Sequence, residues 1–211
     1  MQTGAVTEYE YDARNRLTGA EHYPDGADSP AWTADYAYDT ANRRIAKTVT
    51  GEIERNVEYL WSGNRLLAEY HDGASTPTRR YRYTDTGFAP LSYSEGGTHY
   101  SVHSDYLDTP KALVNSNGTT VWNTVLSPYG QSTANQDVDG DGQQVAFNLR
   151  FPGQYHDRET GLYYNRNRTY DPATGRYIQS DPIGVTGGLN TYAYAANNPT
   201  TFTDSRGKRS F

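Results

Sequence analysis

The 211-residue chain carries a net charge of −6, has no cysteine, and is only 35% apolar, with twenty tyrosines supplying much of any core. Disulfide and thiolate chemistry are therefore excluded, the absence of a sustained basic run argues against nucleic-acid binding by phosphate neutralisation, and no stretch is long and apolar enough for a transmembrane helix. Tyrosine favours strands, and abundant glycine and proline suit tight turns, so an all-β fold is expected.

The first hundred residues repeat. Tyr9-Glu10-Tyr11-Asp12 is followed by Asn15-Arg16-Leu17, and Tyr36-Ala37-Tyr38-Asp39 by Asn42-Arg43-Arg44-Ile45. Glu58-Tyr59-Leu60-Trp61 with Asn64-Arg65-Leu66-Leu67 is a third copy, and Tyr81-Arg82-Tyr83-Thr84-Asp85 a weaker fourth. From Tyr11 to Tyr38, Tyr59 and Tyr83 the steps are 27, 21 and 24 residues, a period that means stacked supersecondary units. Each unit reads as a hairpin. Alternating tyrosines face one side of a strand, and the Asp and Asn-Arg bracket a tight turn in which Asn takes a left-handed conformation. The arginines are placed to stack on neighbouring tyrosine rings.

Further strands follow from Tyr100. Residues 111–115 and 119–125 flank Ser116-Asn117-Gly118, a strong hairpin signal. The polar segment 131–146 reads as a loop. Turns are expected at Asp157–Gly161 and Asp171–Gly175, the second leading into a strand over 176–179. Residues 181–207, rich in Gly, Asn and Pro, read as mostly irregular.

Two matched stretches stand near the C-terminus: Asp181-Pro182-Ile183-Gly184-Val185 and Asp204-Ser205-Arg206-Gly207-Lys208. Two carboxylates brought together in a buried site split their pKa values, one staying protonated as general acid while the other activates water. The bland alternative is that each aspartate merely begins a turn.

An ordered series precedes them. It runs from Leu149-Arg150-Phe151-Pro152-Gly153-Gln154-Tyr155 and Glu159-Thr160-Gly161-Leu162-Tyr163-Tyr164-Asn165 through Tyr170-Asp171-Pro172 and Gly175-Arg176-Tyr177-Ile178 to Asp181. After Asp181 come Gly187-Gly188-Leu189-Asn190, Tyr192-Ala193-Tyr194 and Asn197-Asn198-Pro199. This series resembles the core domain of RHS/YD-repeat proteins, a family that includes bacterial polymorphic toxins and the C subunits of insecticidal toxin complexes. The resemblance is dense from about Tyr100 to Gly207, and the first hundred residues resemble the repeats themselves.

The resemblance implies hairpins wound into a spiral β-sheet shell around a C-terminal cargo, with YD-repeat hairpins over 1–99, the core over 100–208 and a residual tail at 209–211. It implies an aspartyl self-cleavage site of Asp181, Asp204 and the supporting Arg168, with the scissile bond between Lys208 and Arg209. Two departures stand out: Ser205 replaces the proline expected after Asp204, and Lys208 replaces an apolar residue. A lysine would not suit an apolar pocket, and no toxin domain follows Lys208 within these residues.

Two other clusters carry chemistry. Asp137-Val138-Asp139-Gly140-Asp141-Gly142 has the oxygen spacing of a calcium loop, but position 12 is Asn148 rather than a bidentate Glu. No other cofactor is expected. His103-Ser104-Asp105, near Ser101, lacks a nucleophile elbow. His22, His71, His99 and His156 show no metal spacing.

The function expected from these readings is structural: a shell segment of a polymorphic toxin system with an aspartyl self-processing site that departs from pattern. An active autoprotease acting in cis is the rival from the enzyme class. A module that binds carbohydrate or another cell through exposed tyrosines, tested by replacing Trp61 or Trp122, is the rival from the binding class. Expected partners are the remainder of a larger shell, or self-association through a raw sheet edge, together with toxin cargo and secretion machinery. Export through a dedicated system is expected, since the N-terminus lacks a signal peptide.

Overall fold

The computed structural model describes residues 4–208 and is all-β. Twelve strands form one open antiparallel sheet in strict chain order. They are β1 (Val6–Tyr11), β2 (Leu17–Tyr23), β3 (Trp32–Tyr38), β4 (Arg44–Gly51), β5 (Arg55–Ser62) and β6 (Arg65–His71). The meander continues through β7 (Arg79–Tyr83), β8 (Pro90–Glu95), β9 (Thr98–Ser104), β10 (Pro110–Val114), β11 (Thr120–Leu126) and β12 (Ser132–Asn135). A second sheet holds β13 (Tyr155–His156), β14 (Tyr163–Asn165), β15 (Arg168–Asp171) and β16 (Arg176–Tyr177).

Local chemistry dictates the hairpins. The Asp12 carboxylate oxygen Oδ1 accepts the backbone N–H of Arg14 and Arg16, while Asn15 sits at φ 60°. Asp39 does the same for Ala41 and Arg43, with Asn42 at φ 62°. Asp105 and Asn115 repeat the pattern, with Asp108 at φ 65° and Gly118 at φ 79° in the left-handed position. In β1–β2 and β3–β4 the second carboxylate oxygen pairs with the arginine four residues on, at 2.6 Å in both Asp12–Arg16 and Asp39–Arg43. One design, an Asx turn closed by a left-handed residue, thus sets the turns begun by Asp12, Asp39, Asp105 and Asn115.

The expected hairpin across Asn115–Thr119 forms between β10 and β11. The segment 131–146 is not all loop. Residues 132–135 are polar by composition yet form β12, because the exposed edge of β11 offers a full ladder of backbone partners. Residues 181–207 are irregular apart from two short 3₁₀ turns at Gly184–Gly187 and Ala195–Asn197.

Alternation puts one row of side chains on a single face of the large sheet, and the chain after residue 145 covers that face. Tyr59, Leu66, Tyr81, Tyr93, Leu113 and Trp122 pack against Phe147, Leu149, Tyr155 and Tyr164. Nearer β1, Leu17, Trp32, Ala34, Tyr36 and Val49 form a second cluster that Ile178 abuts. A third, of Phe151, Tyr163, Tyr170, Tyr177 and Tyr194, forms the core of the small sheet.

The two layers are also joined by buried charge. Arg44 and Lys47, on the covered face of β4, meet Asp157 at 2.6 and 2.9 Å, and Lys47 reaches Glu159 at 2.9 Å. The Arg44 guanidinium lies within 4.4–5.5 Å of the ring centres of Tyr36, Tyr59, Tyr155 and Tyr164. On β6, Glu69 is fully buried and accepts from Tyr81, Tyr155, Arg79 and His71. Such groups are tolerated inside only because each is paired and hydrogen-bonded.

Candidate active site

Arg168 opens β15 and is 2% exposed. Its neighbours Asn165 and Asn167, with Arg166 at φ 54° between them, make the β14–β15 turn that presents all three side chains to the last turn of the described chain. Asn165 Nδ2 donates to the carbonyl of Asp204 at 2.7 Å, Asn167 Nδ2 to that of Arg206 at 2.7 Å, and Arg168 Nε to that of Gly207 at 2.8 Å. Residues 204–207 are thereby seated against β14–β15.

The two sequence-singled aspartates meet there. Arg168 Nη2 lies 3.0 Å from Asp181 Oδ2 and 3.0 Å from Asp204 Oδ2, and both carboxylates are buried. Each keeps its other oxygen for a turn of the repeat type. Asp204 Oδ1 accepts the N–H of Arg206 and Lys208, with Gly207 at φ 58°. Asp181 Oδ1 accepts the N–H of Ile183, with Gly184 at φ 60°. Each aspartate thus closes its own turn with one oxygen and turns the other toward Arg168. In the repeats Oδ2 pairs with an arginine in its own turn; here the corresponding residues are Val185 and Lys208, and both Oδ2 atoms converge on Arg168.

Tyr177 completes the arrangement. Its hydroxyl donates to Asp204 Oδ2 at 2.9 Å and accepts from Asn165 Nδ2 at 2.8 Å. Its ring lies 3.7 Å from the Arg168 guanidinium carbon. Burial pushes the Asp204 carboxyl above its ordinary value, outweighing the opposing pull of Arg168, Tyr177 and the turn N–H groups. Gly187 packs so closely that an added Cβ would stand 2.9 Å from Asp181 Oδ2.

Both departures from pattern are accommodated. The Asp204 turn closes with Ser205 in place of proline, and Lys208 is exposed, so its charge is not buried. Arg209, the other side of the expected scissile bond, lies outside the described residues. Tyr177, Asn165 and Asn167 were missed by sequence reasoning. Asn165 and Tyr177 stand inside the motifs that carry the resemblance and Asn167 just after one of them, but nothing local marks any of the three as a partner of a residue near 204.

The family model of the teneurin YD-shell matches residues 1–202. This chain belongs to the YD-shell family. The YD-shell segment is 33% identical over 93% of its length to the toxin protein Tse5 of Pseudomonas aeruginosa, and 34% identical over 94% to a tRNA3(Ser)-specific nuclease, WapA, of Bacillus spizizenii. It is 32% identical over 91% of its length to a probable deoxyribonuclease, RhsA, of Dickeya dadantii. It spans only 17%, 8% and 13% of those relatives' own lengths, respectively. Its fold matches a TcdB2-TccC3-Cdc42 crystal structure with a TM-score of 0.69 at 22% identity, covering 96% of this chain and 10% of the other. The Photorhabdus luminescens Tc holotoxin pore gives a TM-score of 0.69 at 20% identity, covering 95% and 10%.

Elsewhere in the YD-shell segment, the carboxylate oxygens of Asp137, Asp139 and Asp141 lie within 4.8 Å of one another and could hold a cation from one side. Asn148 does not complete that loop: it is buried, donating to Tyr155 and accepting from Arg158. The Asp105 carboxylate is taken up by its own turn rather than by His103. Trp122 is fully buried and Trp61 Nε1 donates to the Arg44 carbonyl, so neither ring stands free as a sugar platform.

Proposed function

We propose that this YD-shell segment walls one end of a larger shell enclosing a C-terminal cargo, and that Asp181, Asp204 and Arg168 form its self-processing site, cutting once after Lys208. The observation that carries this reading is the meeting of both carboxylates on one guanidinium nitrogen, beside the turn that ends at Lys208. In this reading the Asp181 carboxylate takes a proton from water as the water attacks the Lys208 carbonyl carbon. Asp204, whose carboxyl burial shifts toward the protonated form, gives its proton to the departing amide nitrogen of Arg209. Arg168 Nη2, 3.0 Å from an oxygen of each, fixes both groups. The relatives named as toxins and nucleases support the cargo half of the proposal, with export through a dedicated secretion system.

Intact mass of the freshly purified protein at neutral pH tests the site, beside Asp181→Asn and Asp204→Asn variants. Neutral pH matters because Asp171-Pro172 and Asp181-Pro182 are acid-labile bonds. The expected result is wild type lacking everything after Lys208 and both variants intact. Full mass in all three would make the constellation a structural clasp and leave the wall as the segment's role.

A further inference from the structure

A cleft of about 230 Å³ opens between β11–β12 and the covering segment, away from Arg168. It is lined by Trp122, Ser132, Gln136, Arg150, His156 and Arg158. Its charge is one-sided. Arg150 is 4% exposed, yet among the described residues no carboxylate lies within ion-pair distance of Arg150 or Arg158. Arg150 Nη1 donates to the carbonyls of Phe147 and Leu149, which fix the guanidinium but bring no counter-charge. Arg150 Nη2 reaches His156 Nδ1 at 3.0 Å, and Arg158 is held by Asn148 and Gln136, again neutral partners.

A buried guanidinium without a carboxylate is costly. Two buried donors in the cleft wall, Arg150 Nε–H and Trp122 Nε1–H, also have no hydrogen-bond partner. The Arg150 guanidinium does lie over the rings of Trp122 and Tyr163, 6.0 and 5.9 Å from their centres, contacts that offset only part of the cost of burying its charge. Every other buried arginine or lysine here has its acid: Arg44 and Lys47 have Asp157, Arg79 has Glu69, and Arg168 has its aspartates. Burial and the two arginines also hold the His156 imidazole far below its ordinary value, at about 3, against the opposing pull of Asp157.

We propose that this cleft is an oxyanion-binding site, taking a carboxylate or a phosphate group between Arg150, His156 and Arg158. Guanidinium groups suit either ligand, because their donors match paired oxygens. The two sources are a free phosphate and the carboxylate of an acidic side chain.

The test is titration of the full chain with inorganic phosphate and, separately, acetate, followed by calorimetry and by the NMR signals of the His156 ring. Saturable single-site binding that moves the His156 signals is expected for at least one anion. Phosphate binding more tightly would indicate a free-phosphate site, and acetate binding as tightly or more so an acidic side chain. Arg158→Gln, a change at an exposed residue, should weaken binding about tenfold, whereas Arg82→Gln on the opposite sheet face should leave it unchanged. No saturable binding of either anion, or equal weakening by both variants, overturns the proposal.

Discussion

Asp204 and Glu69 are both buried carboxyls, yet their surroundings send them in opposite directions. Burial wins at Asp204, so the folded state holds that proton more tightly than the unfolded chain does. Its contribution to stability is therefore largest in acid and is lost as pH rises through the folded value. At Glu69 burial also pushes upward, but hydrogen bonds and charge from His71, Arg79 and Tyr81 overcome it and lower the group from 4.5 to about 2. Its contribution is present above pH 4.5 and is lost as pH falls toward about 2. Glu69→Gln should cost about 2–4 kcal/mol at neutral pH and flatten the acid limb of the stability curve over that window. Denaturant unfolding at a series of pH values checks it, and an unchanged acid limb would count against the assignment. Tyr177→Phe removes one donor from Asp204 and should cost ~1 kcal/mol, while raising the Asp204 pKa further, because the hydroxyl's hydrogen bond favours the ionised form. If Asp204 is the general acid of self-processing, the alkaline limb of its pH–rate profile moves upward in pH in this variant.

At the scale of the turn, one piece of local chemistry recurs from Asp12 to Asp204, and this explains what could be read in the sequence. Asx turns involve residues two to four apart, so Asp12–Arg16, Asp39–Arg43 and Asn115–Thr119 were legible from spacing. That Asp181 and Asp204 share a site was legible only through the resemblance, since the arginine that joins them lies 36 residues before Asp204. The Arg44–Asp157 and Lys47–Glu159 contacts were not foreseen. Their partners are 113 and 112 residues apart, and the only local sign was charge at inward positions of β4, where the alternation called for apolar groups. The strand β12 was missed because its partner, not its composition, makes it a strand. The turns begun by Asp181 and Asp204 also make a contrasting prediction. An alanine at Gly207 would place Cβ 2.3 Å from the Asn165 carbonyl oxygen, whereas one at Gly184 meets nothing within 4 Å. Gly184→Ala should cost ~1 kcal/mol for the left-handed backbone alone. Gly207→Ala should cost about twice that or more and unseat the 204–208 turn. Thermal unfolding of the pair checks the ranking, and equal losses would argue against the close packing of Gly207.

Over the whole molecule, the sheet is a meander with one covered face and two uncovered ends. Among the described residues β1 pairs only with β2, and β12 only with β11. An uncovered edge offers its backbone groups to another chain. The isolated segment should therefore self-associate with rising concentration, as measured by sedimentation velocity. Val6→Lys, which adds charge to the β1 edge, should shift the distribution toward monomer. A wild type that stays monomeric at high concentration would mean that the edge is blunted, and Glu8 and Glu10 on β1 are the side chains placed to do so. In a longer chain the same edge is where a preceding hairpin would join, in keeping with a segment that spans under a fifth of the toxin and nuclease relatives named above.

The grip of Asn165, Asn167 and Arg168 on three carbonyls of the final turn has a mechanical meaning as well. Tension applied to the chain beyond Lys208 meets three side-chain anchors, on Gly207, Arg206 and Asp204, and is passed through them into the small sheet at β14 and β15. A peptide bond severed just past that turn therefore leaves a stub that stays docked. Whatever lies downstream can be pulled away or let go while the wall behind it keeps its shape.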